Sequence, residues 1–120
     1  MSLTDILNEA LDAVKGSKFA GVVGTDGLSV EMVFDNDDDS IDVGLAELEL
    51  SALAASASAA SQRLGSGKVH DMVIEAEAIT YLATMISSGY FAVLAMPADG
   101  NLGRARFAVH QMVERVKEEL

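Results

Sequence analysis

Residues 54–61 read Ala-Ala-Ser-Ala-Ser-Ala-Ala-Ser, with no charge, no ring and no side chain larger than a hydroxymethyl group. The run sits in a helical pattern that begins near Asp42 and, after Gly44, meets no Gly or Pro until Gly65. Alanine is the best helix former, but serine is only a middling one. Three serines in eight positions weaken a helix unless close packing or solvation suits them. A long helix with so bare a face lets another backbone approach closely. The expected reading is a surface made for a second polypeptide, with close packing on the chain's own sheet as the alternative. The helix carries two apolar stripes: Ala46, Leu50, Leu53, Ala57, Ala60 and Leu64 on one side, and Leu45, Leu48, Ala52, Ala55 and Ala59 on the other. Two stripes imply two packing surfaces, one for the chain's own sheet and one for something else.

The rest of the chain supplies that sheet. Leu3, Ile6, Leu7, Ala10, Leu11 and Val14 recur at helical spacing, with Lys15 and a left-handed Gly16 expected at the helix end. Phe19–Thr25 and Leu28–Phe34 read as strands joined by Asp26-Gly27, a hairpin signal because tight primed turns need positive φ. Leu28, Val30, Met32 and Phe34 are expected on one face of the second strand, and Ser29, Glu31 and Val33 on the other. An acidic loop, residues 35–40, leads to the long helix, which Ser40 or Asp42 can cap. Lys68–Ala76, Ala78–Ile86 and Tyr90–Met96 then read as three strands. The last is apolar on both faces, which requires helices on both sides of the sheet. Asn101 is expected to cap a final helix with a stripe through Leu102, Ala105, Val109, Met112, Val113, Val116 and Leu120. Short connections imply antiparallel neighbours. At 120 residues, 1–120 is expected to be a single domain.

Charge and composition exclude several functions. Asp plus Glu outnumber Lys plus Arg by 19 to 8, a net charge of −11, which opposes binding to nucleic acid or to an anionic membrane. The imbalance is local: between Phe19 and Gln62 there are nine acidic residues and no Lys or Arg. A partner with a basic patch would be drawn to that side. The chain has no cysteine, so disulfides and thiolate sites are excluded. No apolar run reaches the ~20 residues needed to span a bilayer, and the acidic N-terminus does not read as a signal peptide. A cytoplasmic protein is expected.

The motifs that could carry chemistry fail at defined positions. Asp35, Asp37 and Asp39 match the first calcium-ligand positions of an EF-hand, but Ser40 replaces its glycine and Ala46 its bidentate glutamate. His70 and His110 are the only histidines and do not form a metal motif. Gly24-Thr-Asp-Gly27 precedes a strand rather than a helix, so it is a hairpin and not a phosphate cradle. Arg104 and Arg106 are expected to decorate the last helix. No catalytic residue, metal site or cofactor is expected.

The order of elements resembles that of the Roadblock/dynein light-chain family, including its bacterial gliding-motility branch. Three features carry the resemblance: Gly21-Val-Val-Gly-Thr-Asp-Gly-Leu28, the Ala/Ser-rich helix ending at Leu64-Gly65, and Asn101-Leu-Gly-Arg104. It implies an α+β fold of order α-β-β-α-β-β-β-α. A five-stranded antiparallel sheet carries the long helix on one face and the terminal helices on the other. It also implies a homodimer in which the long helices pack together and the strands after them pair. The expected interface residues are Leu45, Leu48, Ala52, Ala55 and Ala59 on the helix, and Val69, Asp71, Val73 and Glu75 on the edge strand. In the gliding-motility branch the paired helices form a platform for a small Ras-like GTPase. Helix position suggests Glu47, Glu49, Ser51, Ser58 and Gln62 as partner-facing residues. The resemblance therefore implies a non-catalytic GTPase regulator. A structural adaptor of the dynein light-chain type and a small-molecule sensory domain are the competing expectations.

Overall fold

A computed structural model describes residues 2–26, 29–35, 42–87 and 89–119. The elements are α1 (Leu3–Ala13), β1 (Phe19–Gly24), β2 (Ser29–Phe34), α2 (Val43–Arg63), β3 (Asp71–Glu75), β4 (Ile79–Ser87), β5 (Tyr90–Pro97) and α3 (Leu102–Glu119). The strands form one antiparallel sheet of order β2-β1-β5-β4-β3. The expected fold class is therefore observed.

Strand β5 lies in the middle because its side chains are apolar on both faces. Phe91, Val93 and Ala95 pack into the layer beneath α2, while Ala92, Leu94 and Met96 pack into the layer beneath α1 and α3. Each fully buried Val, Leu or Phe contributes about 1.5–3 kcal/mol. The two covers are unequal. Helix α3, 18 residues long, buries Ala105, Ala108, Val109, Met112, Val113 and Val116. Helix α2 is longer, at 21 residues, yet among its described side chains only Leu50, Ser51 and Ala54 are buried.

The helix ends follow local chemistry. Ser2 and Asp5 form a reciprocal capping box on α1, with Asp5 N donating to Ser2 Oγ at 3.2 Å and Ser2 N to Asp5 Oδ2 at 3.3 Å. Asp42 caps α2, its Oδ1 accepting from Leu45 N at 3.0 Å. Asn101 caps α3, its Oδ1 accepting from Arg104 N at 3.0 Å. The end of α2 is a Schellman turn: Ser66 N donates to Ser61 O, Gly65 N to Gln62 O, and Gly65 adopts φ +74°. Gly16 is also left-handed, at φ +80°, but the helix has stopped by then, with Val14 extended and buried.

Two bulges interrupt the ladders, one between β1 and β2 and one between β4 and β5. Val22 pairs with Glu31 but Val23 with Ser29, so Val30 has no partner. Val30 is consequently exposed rather than sharing the apolar face of Met32 and Phe34. A second bulge falls between Met85 and Ser87 on β4. Strand β3 is shorter than the expected Lys68–Ala76, although Met85 N still donates to His70 O at 2.8 Å. The hairpin residues Gly27 and Leu28, Asp37, Asp39 and Ser40 of the acidic loop, and Ser88 and Leu120 lie outside the described residues.

Leu94 is fully buried at the centre of the sheet. Leu94→Ala is expected to lower unfolding free energy by about 2–5 kcal/mol in urea titrations. A loss well under 1 kcal/mol would contradict this placement.

Candidate protein-interaction surface

The outer side of α2 is apolar where water should be. Leu45, Leu48 and Leu53 are 54%, 57% and 41% exposed, and Ile74 on neighbouring β3 is also exposed. Between α2 and the sheet runs a groove of about 410 Å³, walled by Leu45, Leu50, Leu53 and Ile74. Its floor includes Phe19 and Tyr81, whose rings lie 6.3 Å apart, centroid to centroid, and Phe34 stacks behind Phe19 at 5.5 Å. Contiguous exposed leucine and isoleucine of this kind mark an interaction surface. Among the described residues no cluster of His, Cys, Asp or Glu is arranged to hold a metal, and no helix is long and apolar enough to cross a membrane.

The expected helix stripe Leu45, Leu48, Ala52, Ala55 and Ala59 does share one side of α2. The first three are exposed, and Ala55 and Ala59 are half-buried. The other stripe is displaced. Leu50 is buried, but Leu53, Ala60 and Leu64 are exposed, because the row that meets the sheet runs through Glu47, Leu50, Ser51, Ala54, Ser58 and Ser61. Ser51, Ser58 and Ser61 therefore lie toward the chain's own sheet, while Ser56 is exposed. This corrects the partner-facing set: Ser51 is fully buried, Glu47 and Ser58 are half-buried, and only Glu49 and Gln62 are exposed. Ser61 Oγ donates to Gly67 O at 2.7 Å, tying the helix end to the following loop.

Strand β3 forms one edge of the sheet. Met85 N donates to His70 O, and Ala76 N to Ile79 O. In an antiparallel ladder bonded pairs alternate with non-bonded ones. The backbone groups of Met72 and Ile74 therefore point toward β4, and those of Asp71, Val73 and Glu75 point away from it. The side chains of this second set face the α3 side: Val73 packs on the α1/α3 core, and Asp71 reaches α3 itself. Val69 packs on the opposite core, beneath α2.

Asp71 is the best-anchored carboxylate of this edge. Thr84 Oγ1 donates to its Oδ1 at 2.6 Å, and His110 Nε2 lies 3.4 Å from the same oxygen. Partial burial pushes the Asp71 pKa upward. The bonds from Thr84 and His110, with the charges of His110 and Arg106, outweigh it and hold the carboxyl below its ordinary value. Sequence reasoning missed this cluster because Asp71 and His110 are 39 positions apart. Arg104 is not mere decoration: its Nε donates to Ala13 O at 3.1 Å, at the end of α1 where a cation suits the helix dipole. Arg115 of α3 pairs with Glu9 of α1.

No protein-family model matches the chain, and neither does any curated protein. Solved structures do. MglC from Myxococcus xanthus is 29% identical over 100% of both chains, with a TM-score of 0.73. An MglB with a tetrameric arrangement is 14% identical over 97% of this chain and 85% of its own, with a TM-score of 0.85. The Roadblock/LC7 domain from Streptomyces avermitilis is 18% identical over 99% and 98%, with a TM-score of 0.80.

Two predictions follow from the placement of Ser51 and Asp71. The Ser51 hydroxyl is buried without a hydrogen-bond partner, a situation that costs about 1–3 kcal/mol. Ser51→Ala is therefore expected to leave stability unchanged or raise it in urea titrations, and a loss above about 1 kcal/mol would restore a specific role for the hydroxyl. Because the Asp71 pKa is depressed on folding, its charge stabilises the fold above the ordinary carboxylate pKa of ~3.9, and this is lost as pH falls further. Asp71→Asn should destabilise at neutral pH, and the difference from wild type should vanish near pH ~2. An equal difference at both pH values would refute the electrostatic assignment.

The capped helices, the β2-β1-β5-β4-β3 sheet and these structural matches together give the chain the Roadblock/LC7 fold, similar to those of MglC and MglB.

Proposed function

We propose that this chain is a self-associating, non-catalytic regulator that binds a small Ras-like GTPase in the cytoplasm and modulates its hydrolysis of GTP or its localisation. The carrying observation is the union of two unsatisfied surfaces: the apolar outer side of α2 and the outward-facing edge of β3. They adjoin through Leu53 and Ile74, which line the same groove. A second copy presenting the same two surfaces covers leucines and strand edge together, as a two-fold interface requires. The fold shared with MglB and MglC supports this reading.

The GTPase is assigned to what the dimer leaves open. The acidic segment from Phe19 to Gln62 favours a partner with a basic contact patch, and Gln62, exposed on α2 and outside the groove, is available to meet it. GTP hydrolysis by a Ras-like GTPase, measured with and without the chain, tests the regulatory part. Tight binding with an unchanged rate supports the adaptor reading instead.

Ala55→Arg tests the dimer. A long charged group cannot be buried unpaired in a close helix contact. The variant is expected to dissociate at least about ten-fold more readily in sedimentation equilibrium, about 1.4 kcal/mol. An unchanged association constant would remove α2 from the interface.

A further inference from the structure

We infer that the cavity beside the C-terminal end of α2 binds a small organic anion, a carboxylate carried on a short apolar body. The inference does not rest on the self-association or GTPase readings, and the cavity shares no residue with the groove beside Leu53. Gln62 also belongs to the surface assigned above to the GTPase.

The cavity has a volume of about 190 Å³. Its polar border comes from three parts of the chain: Thr25 after β1, Ser58 and Gln62 one helical turn apart on α2, and Lys68 in the connection to β3. Its apolar wall is Val69, Met85 and the buried ring of Phe91. Among the described residues, none of the four polar side chains has a hydrogen-bond or ion-pair partner. Two hydroxyls, an amide and an ammonium group are therefore uncommitted around one hollow.

The surroundings set the sign of the ligand. The chain carries a net charge of −11, yet residues 51–70 and 78–98 contain no Asp or Glu. Those two stretches supply every lining residue except Thr25. Asp26 follows Thr25 in sequence but does not line the cavity. An acidic protein thus presents a cation and no carboxylate at this point. A bound carboxylate can accept from Lys68 Nζ, from Gln62 Nε2 and from both hydroxyls. Such charge-assisted bonds are about twice as strong as neutral ones. A bare inorganic anion would leave Val69, Met85 and Phe91 uncovered, whereas a chain of a few carbons covers them. Drug-sized ligands fill about 300–1,000 Å³, so this site takes a smaller molecule.

The test is an amide NMR titration of the full chain with sodium hexanoate, inorganic phosphate and hexylamine, at constant pH and ionic strength. Hexanoate is expected to give saturable shifts at roughly millimolar concentration, centred on Thr25, Ser58, Gln62 and Val69. Phosphate and hexylamine should bind about ten-fold more weakly or less. Lys68 is exposed, so its variants are expected to keep the wild-type unfolding temperature. Lys68→Glu should weaken hexanoate binding about ten-fold or more, and Lys68→Arg should retain it. Absence of saturable hexanoate shifts would make the hollow a hydrated notch and overturn the site. Equal binding of hexylamine, or an unchanged affinity in Lys68→Glu, would overturn the anion assignment. Equal binding of phosphate would overturn the apolar half. Shifts centred on Leu45, Leu53 and Tyr81 would assign hexanoate to the groove and overturn this location.

Discussion

Strand β5 cannot be left wet on either face. Phe91, Val93 and Ala95 point one way, and Ala92, Leu94 and Met96 the other, all buried. That double requirement places β5 between β1 and β4 and demands a helical layer on each side. The lower layer is complete, because α3 and α1 share a buried stripe and are joined at the surface by Arg115–Glu9 and Arg104–Ala13. The upper layer is a single helix that buries three of its described residues and exposes leucines on its far side. The exposed apolar flank of α2 arises from that asymmetry of cover.

The Ala/Ser run belongs to the same constraint. Its small side chains let α2 lie close over the strands, with Ser51, Ala54, Ser58 and Ser61 turned toward the sheet. A bulkier row there would lift the helix away from Phe19 and Phe91. Larger apolar residues are displaced to the outer flank, where Leu45, Leu48 and Leu53 are exposed. Close packing within the chain and apolar display outside it are thus two consequences of one helix.

The element order and the core were legible because their signals are local. Examples are helical spacing in α1 and α3, the two-faced apolar strand β5, and the caps at Asp42 and Asn101. The rotation of α2 was not legible. Alanine is compatible with either face, and serine reads as a surface residue when its neighbours are unknown. The reading of Ser51 as partner-facing failed for that reason. The bulge at Val30 escaped because strict alternation carries no mark of an extra residue. The Asp71–Thr84–His110 cluster escaped because only the sheet register and the path of α3 bring these residues together.

In the proposed dimer a second copy of the chain covers the α2 flank and the β3 edge. Amide hydrogen exchange across a concentration series measures this directly, because the amides of Val73 and Glu75 point away from β4 and have no intrachain ladder partner. The account predicts that these two amides become protected as concentration rises, while those of Met72 and Ile74 are protected throughout. Rapid exchange of Val73 and Glu75 at every concentration would contradict it.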